Sequence, residues 1–154
     1  MSDIFNEGKM VQLLEGCIPE GEVLLAGVHG ITLQVNRKKT SKFDVYVGIT
    51  GQYLVVVECE ERTYLNQFYH IPDLRKTVAE DLGTCFPLAE IQDCRLKKAM
   101  MGSVSCSITL KDGSFLKFLL PKRGGLGGGM PRHGEYREKI IARLSGLGCT
   151  RQAL

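Results

Sequence analysis

Phe86-Pro87-Leu88-Ala89-Glu90-Ile91, then Arg95 to Met101, then Ser105-Cys106-Ser107-Ile108-Thr109-Leu110 running through Asp112-Gly113 to Leu120: this stretch decides the fold class. In Ser105 to Leu110 the apolar residues fall on every second position, the period of a strand with one buried face. Asp112-Gly113 follows at once, and Asp-Gly is among the strongest hairpin signals because glycine takes positive φ without a steric penalty. The stretch therefore reads as a continuous β-unit that carries no catalytic constellation. Its content is architectural.

Working outward, the upstream pattern is also largely β. Phe43, Val45, Val47 and Ile49 share one face of a strand, Thr50-Gly51-Gln52 turns, and Tyr53-Leu54-Val55-Val56-Val57 returns. Before it, Val23-Leu24-Leu25-Ala26 and the alternating Ile31, Leu33 and Val35 predict a long strand from Glu22, with Gly27 and Gly30 marking a bulge or bend. Ser2 or Asp3 is expected to cap a short helix with Met10, Leu13, Leu14 and Cys17 on one face, stopped at Pro19-Glu20-Gly21. Leu65 to Ile71 is a weaker strand, and Asp73 to Gly83 a short helix. Downstream, Lys122-Arg123 precedes a glycine tract, Gly124 to Gly129, expected to be a flexible connection. Tyr136, Ile140, Ile141, Leu144 and Leu147 then form the apolar stripe of the best helix in the chain.

At 154 residues the chain has the size of one domain and can build a core without staples. The N-terminus lacks a signal-peptide pattern and no apolar run approaches bilayer-spanning length, so a cytoplasmic protein is expected. The six cysteines are scattered and read as reduced thiols. A net charge of +3 is too small to point to nucleic acid, and aromatic rings do not interleave with basic residues as a base-stacking sheet requires. No nucleic-acid partner is expected.

Tests for chemistry return ordinary readings. The glycine tract lacks the phosphate-loop pattern Gly-x-x-x-x-Gly-Lys-Ser/Thr and follows an antiparallel hairpin. His29, His70 and His133 lie far apart and none has zinc-motif spacing, so no metal or other cofactor is expected. Cys94, beside Arg95 and Lys97, is the best-placed thiol for reactivity, yet reads as structural. Glu60-Glu61 and Glu80-Asp81 are adjacent pairs and diverge, which suits surface charge better than acid-base work. The basic cluster Arg37, Lys38, Lys39 and Lys42 is the one candidate binding site, weighed against solvated loop charge.

The order of elements resembles the pleckstrin-homology-like superfold, and most closely GRAM-type and bacterial pleckstrin-homology domains. Ile49-Thr50-Gly51-Gln52-Tyr53-Leu54 and Phe86-Pro87-Leu88-Ala89-Glu90-Ile91 carry most of that resemblance, over residues 20 to 147. It implies a mainly β fold: a barrel of two near-orthogonal antiparallel sheets with a C-terminal capping helix, here with a short N-terminal helix in front. The single domain, 1–154, then divides into a helix over 1–19, the barrel over 20–147 and a frayed tail over 148–154. The resemblance implies no enzyme activity. In phosphoinositide-binding members, basic residues between the first two strands hold phosphates, and Arg37, Lys38, Lys39 and Lys42 occupy that connection; Phe43-Asp44-Val45-Tyr46 and the lack of tryptophan depart from that pattern. The expectation is a non-catalytic binding or assembly module, working by protein or self-association through a sheet edge or surface. The alternatives are anionic phospholipid headgroup binding through connection 36–42, with peripheral membrane attachment, and a small-ligand carrier or enzyme using the barrel mouth.

Overall fold

In the computed structural model, residues 6–36, 38–58, 84–122, 130–147 and 150–152 are described, with the side chains of 38–43 and 150–152 set aside. The strands are β1 (Ala26–Val35), β2 (Lys38–Ile49), β3 (Tyr53–Glu58), β4 (Cys85–Pro87), β5 (Ile91–Lys98), β6 (Val104–Leu110), β7 (Phe115–Leu120) and β8 (Thr150–Gln152). Helix α1 spans Glu7–Glu15 and helix α2 spans His133–Ser145. The strands form one curled sheet in the order β4-β3-β2-β1-β7-β6-β5-β8. Strands β1 to β7 pair antiparallel, and β8 runs parallel to β5. The mainly β reading with a helix at each end is what the chain adopts.

Strand β1 joins the two halves of the sheet. It pairs with β2 from Ala26 to Val35, but with β7 only from Ile31 to Val35, and its register shifts between Thr32 and Gln34 on both sides. A bulge there sharpens the twist and lets one strand serve two layers. Inside the curl, Val28, Val45, Val47, Leu54, Leu96, Cys106, Phe118 and Leu120 make the core, and Ile140, Ile141 and Leu144 of α2 close it.

Several details differ from the sequence reading. The cap of α1 is Asn6, whose side-chain oxygen accepts a hydrogen bond from the Lys9 amide at 3.0 Å, rather than Ser2 or Asp3, which lie outside the described residues. Gly27 and Gly48 do more than bend strands. They are register partners, and a Cβ at either would come within 2.8 Å of Leu14 Cδ1, so the pair forms the notch in which α1 sits. Phe86 to Ile91 is broken by a single 3-10 turn, Leu88–Glu90, between β4 and β5. The C-terminal tail is not frayed throughout: Thr150–Gln152 pairs with Arg95, Leu96 and Lys97 on the outer edge of β5, in a segment too short for periodicity to reveal. The strand expected at 65–71, the helix at 73–83 and the glycine tract 124–129 lie outside the described residues.

Both predicted turns form as their chemistry requires. Gly113 has φ +90°, and the Ser114 amide donates to Asp112 Oδ1 at 2.8 Å. Thr50 Oγ1 accepts from the amides of Gln52 and Tyr53 and donates to Glu22 Oε1 at 2.6 Å, tying the β2–β3 turn to the segment before β1.

Candidate functional site

The anion-binding candidates fall differently from expectation. Strand β2 begins at Lys38, with Lys38 opposite Val35 and Lys39 opposite Gln34, so Lys38, Lys39 and Lys42 belong to the strand by backbone. Arg37 itself and the side chains of Lys38, Lys39 and Lys42 lie outside the described residues. Asn36 adopts φ +53°, and its side-chain oxygen accepts from the Phe115 amide at 3.0 Å, which fastens this end of the barrel to β7.

The polar group most deeply held is one that sequence reasoning treated as ordinary. His29 on β1 donates through Nε2 to Asp44 Oδ1 on β2 at 2.7 Å, and both side chains are almost wholly buried. Alternation within β1 gives His29 the same face as Ile31, the register partner of Asp44, so the contact runs diagonally across the pair. His133, at the start of α2, is buried too and donates through Nε2 to the Pro121 carbonyl at 2.7 Å. Burial pushes the pKa of His133 down from 6.5 to about 4; the Pro121 carbonyl opposes this, and His29 and Arg137 add smaller contributions in the same downward direction. The His29–Asp44 contact ties β1 to β2.

Cys94 is disulfide-bonded, which corrects the expectation of six reduced cysteines: scatter along the sequence says nothing about distance in the fold. Cys17, Cys85 and Cys106 are free. Burial raises the pKa of both Cys85 and Cys106, so neither favours the thiolate. His70, Glu60, Glu61, Glu80 and Asp81 lie outside the described residues. Among the described residues, no helix is long and apolar enough to cross a membrane.

Two surface features stand out instead. The first is a groove of about 200 Å³ beside the N-terminal half of β1, where the strand has β2 on one side but not yet β7 on the other. Met10 and Val11 of α1, Leu24 to Gly27 and Tyr136 of α2 line it. Nearby in the chain, Glu7 of α1 accepts from the Arg132 amide at 3.2 Å and faces the Arg132 guanidinium at 3.4 Å, tying α1 to the start of α2. Leu25, which lines the groove, is 47% exposed, and Val23, two residues earlier, is 69% exposed. The second is the β5–β6 turn, held against α2 by Arg137, whose Nη1 donates to the carbonyls of Gly102 at 2.8 Å and Leu120 at 3.2 Å. A third hollow, lined by Leu54, Phe86, Ile108, Leu110, Phe115 and Leu116, holds a void of only about 10 Å³.

No family model matches the chain, and no curated protein matches it. Among solved structures the chain is similar to the hSac2 domain from human phosphoinositide phosphatase Sac2, at 11% identity and a TM-score of 0.44, over 96% of this chain and 88% of that one.

Proposed function

We propose that the chain is a pleckstrin-homology-like domain of the GRAM-like and bacterial kind, serving as a non-catalytic association module. Strands in the order β4-β3-β2-β1-β7-β6-β5, with α2 as the closing helix after β7, support the family reading. The observation that carries the association reading is the exposed apolar pair Val23 and Leu25 on the segment that leads into β1. From Ala26 to Gly30 the strand itself is buried, although among the described residues it pairs on one side only, whereas Val23 and Leu25 just before it are 69% and 47% exposed. An extended partner segment laid along residues 23–25 takes backbone hydrogen bonds there and specificity from alternate side chains. A second copy of the same chain fits, because antiparallel pairing of one segment with itself about a two-fold axis is self-complementary.

Light scattering on the purified protein tests this. A dimer is expected, with Val23→Asp combined with Leu25→Asp shifting it to monomer while circular dichroism stays unchanged. A strict monomer at every concentration, or a dimer indifferent to both substitutions, overturns the reading.

A further inference from the structure

The connection between β5 and β6, Ala99 to Ser103, projects two methionines into solvent: Met100 is 80% and Met101 91% exposed, the two most exposed large apolar side chains described. Water-facing methionine at a hairpin tip contributes nothing to the core. Met101 also sits at φ +57°, in the left-handed region where glycine or asparagine is the natural occupant. Both features work against folding.

The tip is nevertheless built rigidly. The Ala99 amide donates to the Ser103 carbonyl at 2.8 Å and the Ser103 amide to the Met100 carbonyl at 3.1 Å. Beneath them Arg137 holds the Gly102 carbonyl, and Lys122 packs so closely on Gly102 that a Cβ there would lie 2.9 Å from its Cδ. Two methionines are thus presented on a fixed stalk. The charge around them is mainly basic. Lys97, Lys98 and Lys122 are exposed, Arg95 is matched by Asp93 at 3.2 Å, and Glu138 on α2 faces Arg137 at 3.9 Å.

We infer that this tip is a membrane wedge: Met100 and Met101 enter the acyl boundary of a bilayer while Lys97, Lys98 and Lys122 contact anionic headgroups. A protein partner suits the feature less well. A convex tip with two apolar side chains falls far short of the roughly 800 Å² per partner that a stable protein interface needs, whereas a fluid interface accepts a convex wedge. Unbranched, flexible methionine adapts to such a disordered medium. Apolar insertion and basic attraction to anionic lipid reinforce one another, since either alone gives marginal, reversible binding. The tip lies beside Leu120 of β7, at the other end of that strand from the start of β2 at Lys38, and it shares no lining residue with the groove beside β1.

Co-sedimentation of the full chain with phosphatidylserine-containing vesicles, against phosphatidylcholine alone, tests it. Binding is expected to the anionic vesicles, to weaken at high salt, and to fall about tenfold or more in Met100→Asp combined with Met101→Asp. Met101→Gly removes one wedge side chain and relieves the left-handed backbone, so it is expected to melt higher and bind more weakly, which separates lost insertion from lost folding. Lys98→Ala with Lys122→Ala is expected to reduce binding severalfold. The chain contains no tryptophan, so Met101→Trp supplies a single reporter whose emission shifts to the blue on the vesicles. Absence of binding to anionic vesicles at low salt overturns the inference. So does binding that is indifferent to the methionines but lost on replacing Lys38, Lys39 and Lys42, or indole emission from the Met101→Trp variant that vesicles leave unchanged.

Discussion

At the scale of single residues, glycine at a crossing point decides where α1 sits. Gly27 and Gly48 face one another across β1 and β2, and Leu14 fills the space that two side chains would take. Replacing Gly48 with Val forces Leu14 and Leu24 aside, and overpacking of this kind costs about 1–3 kcal/mol. The expected result is a lower urea midpoint, with proteolytic cleavage reaching α1 before the barrel opens. The ingredients were legible in the sequence, a helix with Met10, Leu13 and Leu14 on one face and glycines in two strands. Their pairing was not, because register between strands depends on the turn between Val35 and Lys38 and cannot be read from either strand alone. The His29–Asp44 contact escaped for the same reason: fifteen residues separate partners that a hairpin brings to 2.7 Å. Met100 and Met101 were plain in the sequence, but their exposure and the left-handed backbone at Met101 follow only from how β5 and β6 connect.

At the scale of elements, α2 closes the barrel by more than its apolar stripe. Three of its side chains reach backbone carbonyls on different turns: His133 to Pro121, Arg137 to Gly102 and Leu120, and Arg143 Nη2 to Gly51 at 2.6 Å. Helix amphipathicity announced the stripe, while the carbonyl ties depend on where the β2–β3 and β5–β6 turns end in space. Arg137 is the more buried of the two arginines and serves two acceptors. Arg137→Leu keeps the apolar stem but strands both carbonyls, and loss of hydrogen bonds to a charged group is expected to lower stability by about 1.5–3 kcal/mol in urea unfolding. The elements most fully legible were the hairpins at Thr50-Gly51 and Asp112-Gly113, where turn chemistry and alternation agree. Those missed or misplaced were the shortest ones, β8 and the 3-10 turn after Pro87, since three residues carry no period.

For the whole molecule, burial of His133 makes stability depend on acidity. Its pKa is about 4 when folded, against 6.5 for the exposed side chain. Between those values the unfolded chain binds a proton at this position that the folded chain refuses. The stabilising contribution is therefore complete above about pH 6.5 and is lost as pH falls toward 4, a change on the order of 3 kcal/mol. Urea midpoints measured across that window are expected to fall with acidity, and His133→Gln, which retains a donor for the Pro121 carbonyl, is expected to flatten the slope. A slope unchanged in that variant would assign the acid sensitivity to other groups.

The sharing of β1 between two layers has a consequence for synthesis. Strands β1, β2 and β3 complete their mutual pairing early, but Ile31 to Val35 wait for Leu116 to Leu119, near the far end of the chain, and the N-terminal part of β1 waits longer still for α2. Contacts so distant along the chain form late. On the ribosome a valine-rich three-stranded sheet is thus presented with one bare edge until most of the polypeptide has emerged. A nascent chain in that state is a substrate for chaperones and for premature strand exchange with its neighbours on the same messenger.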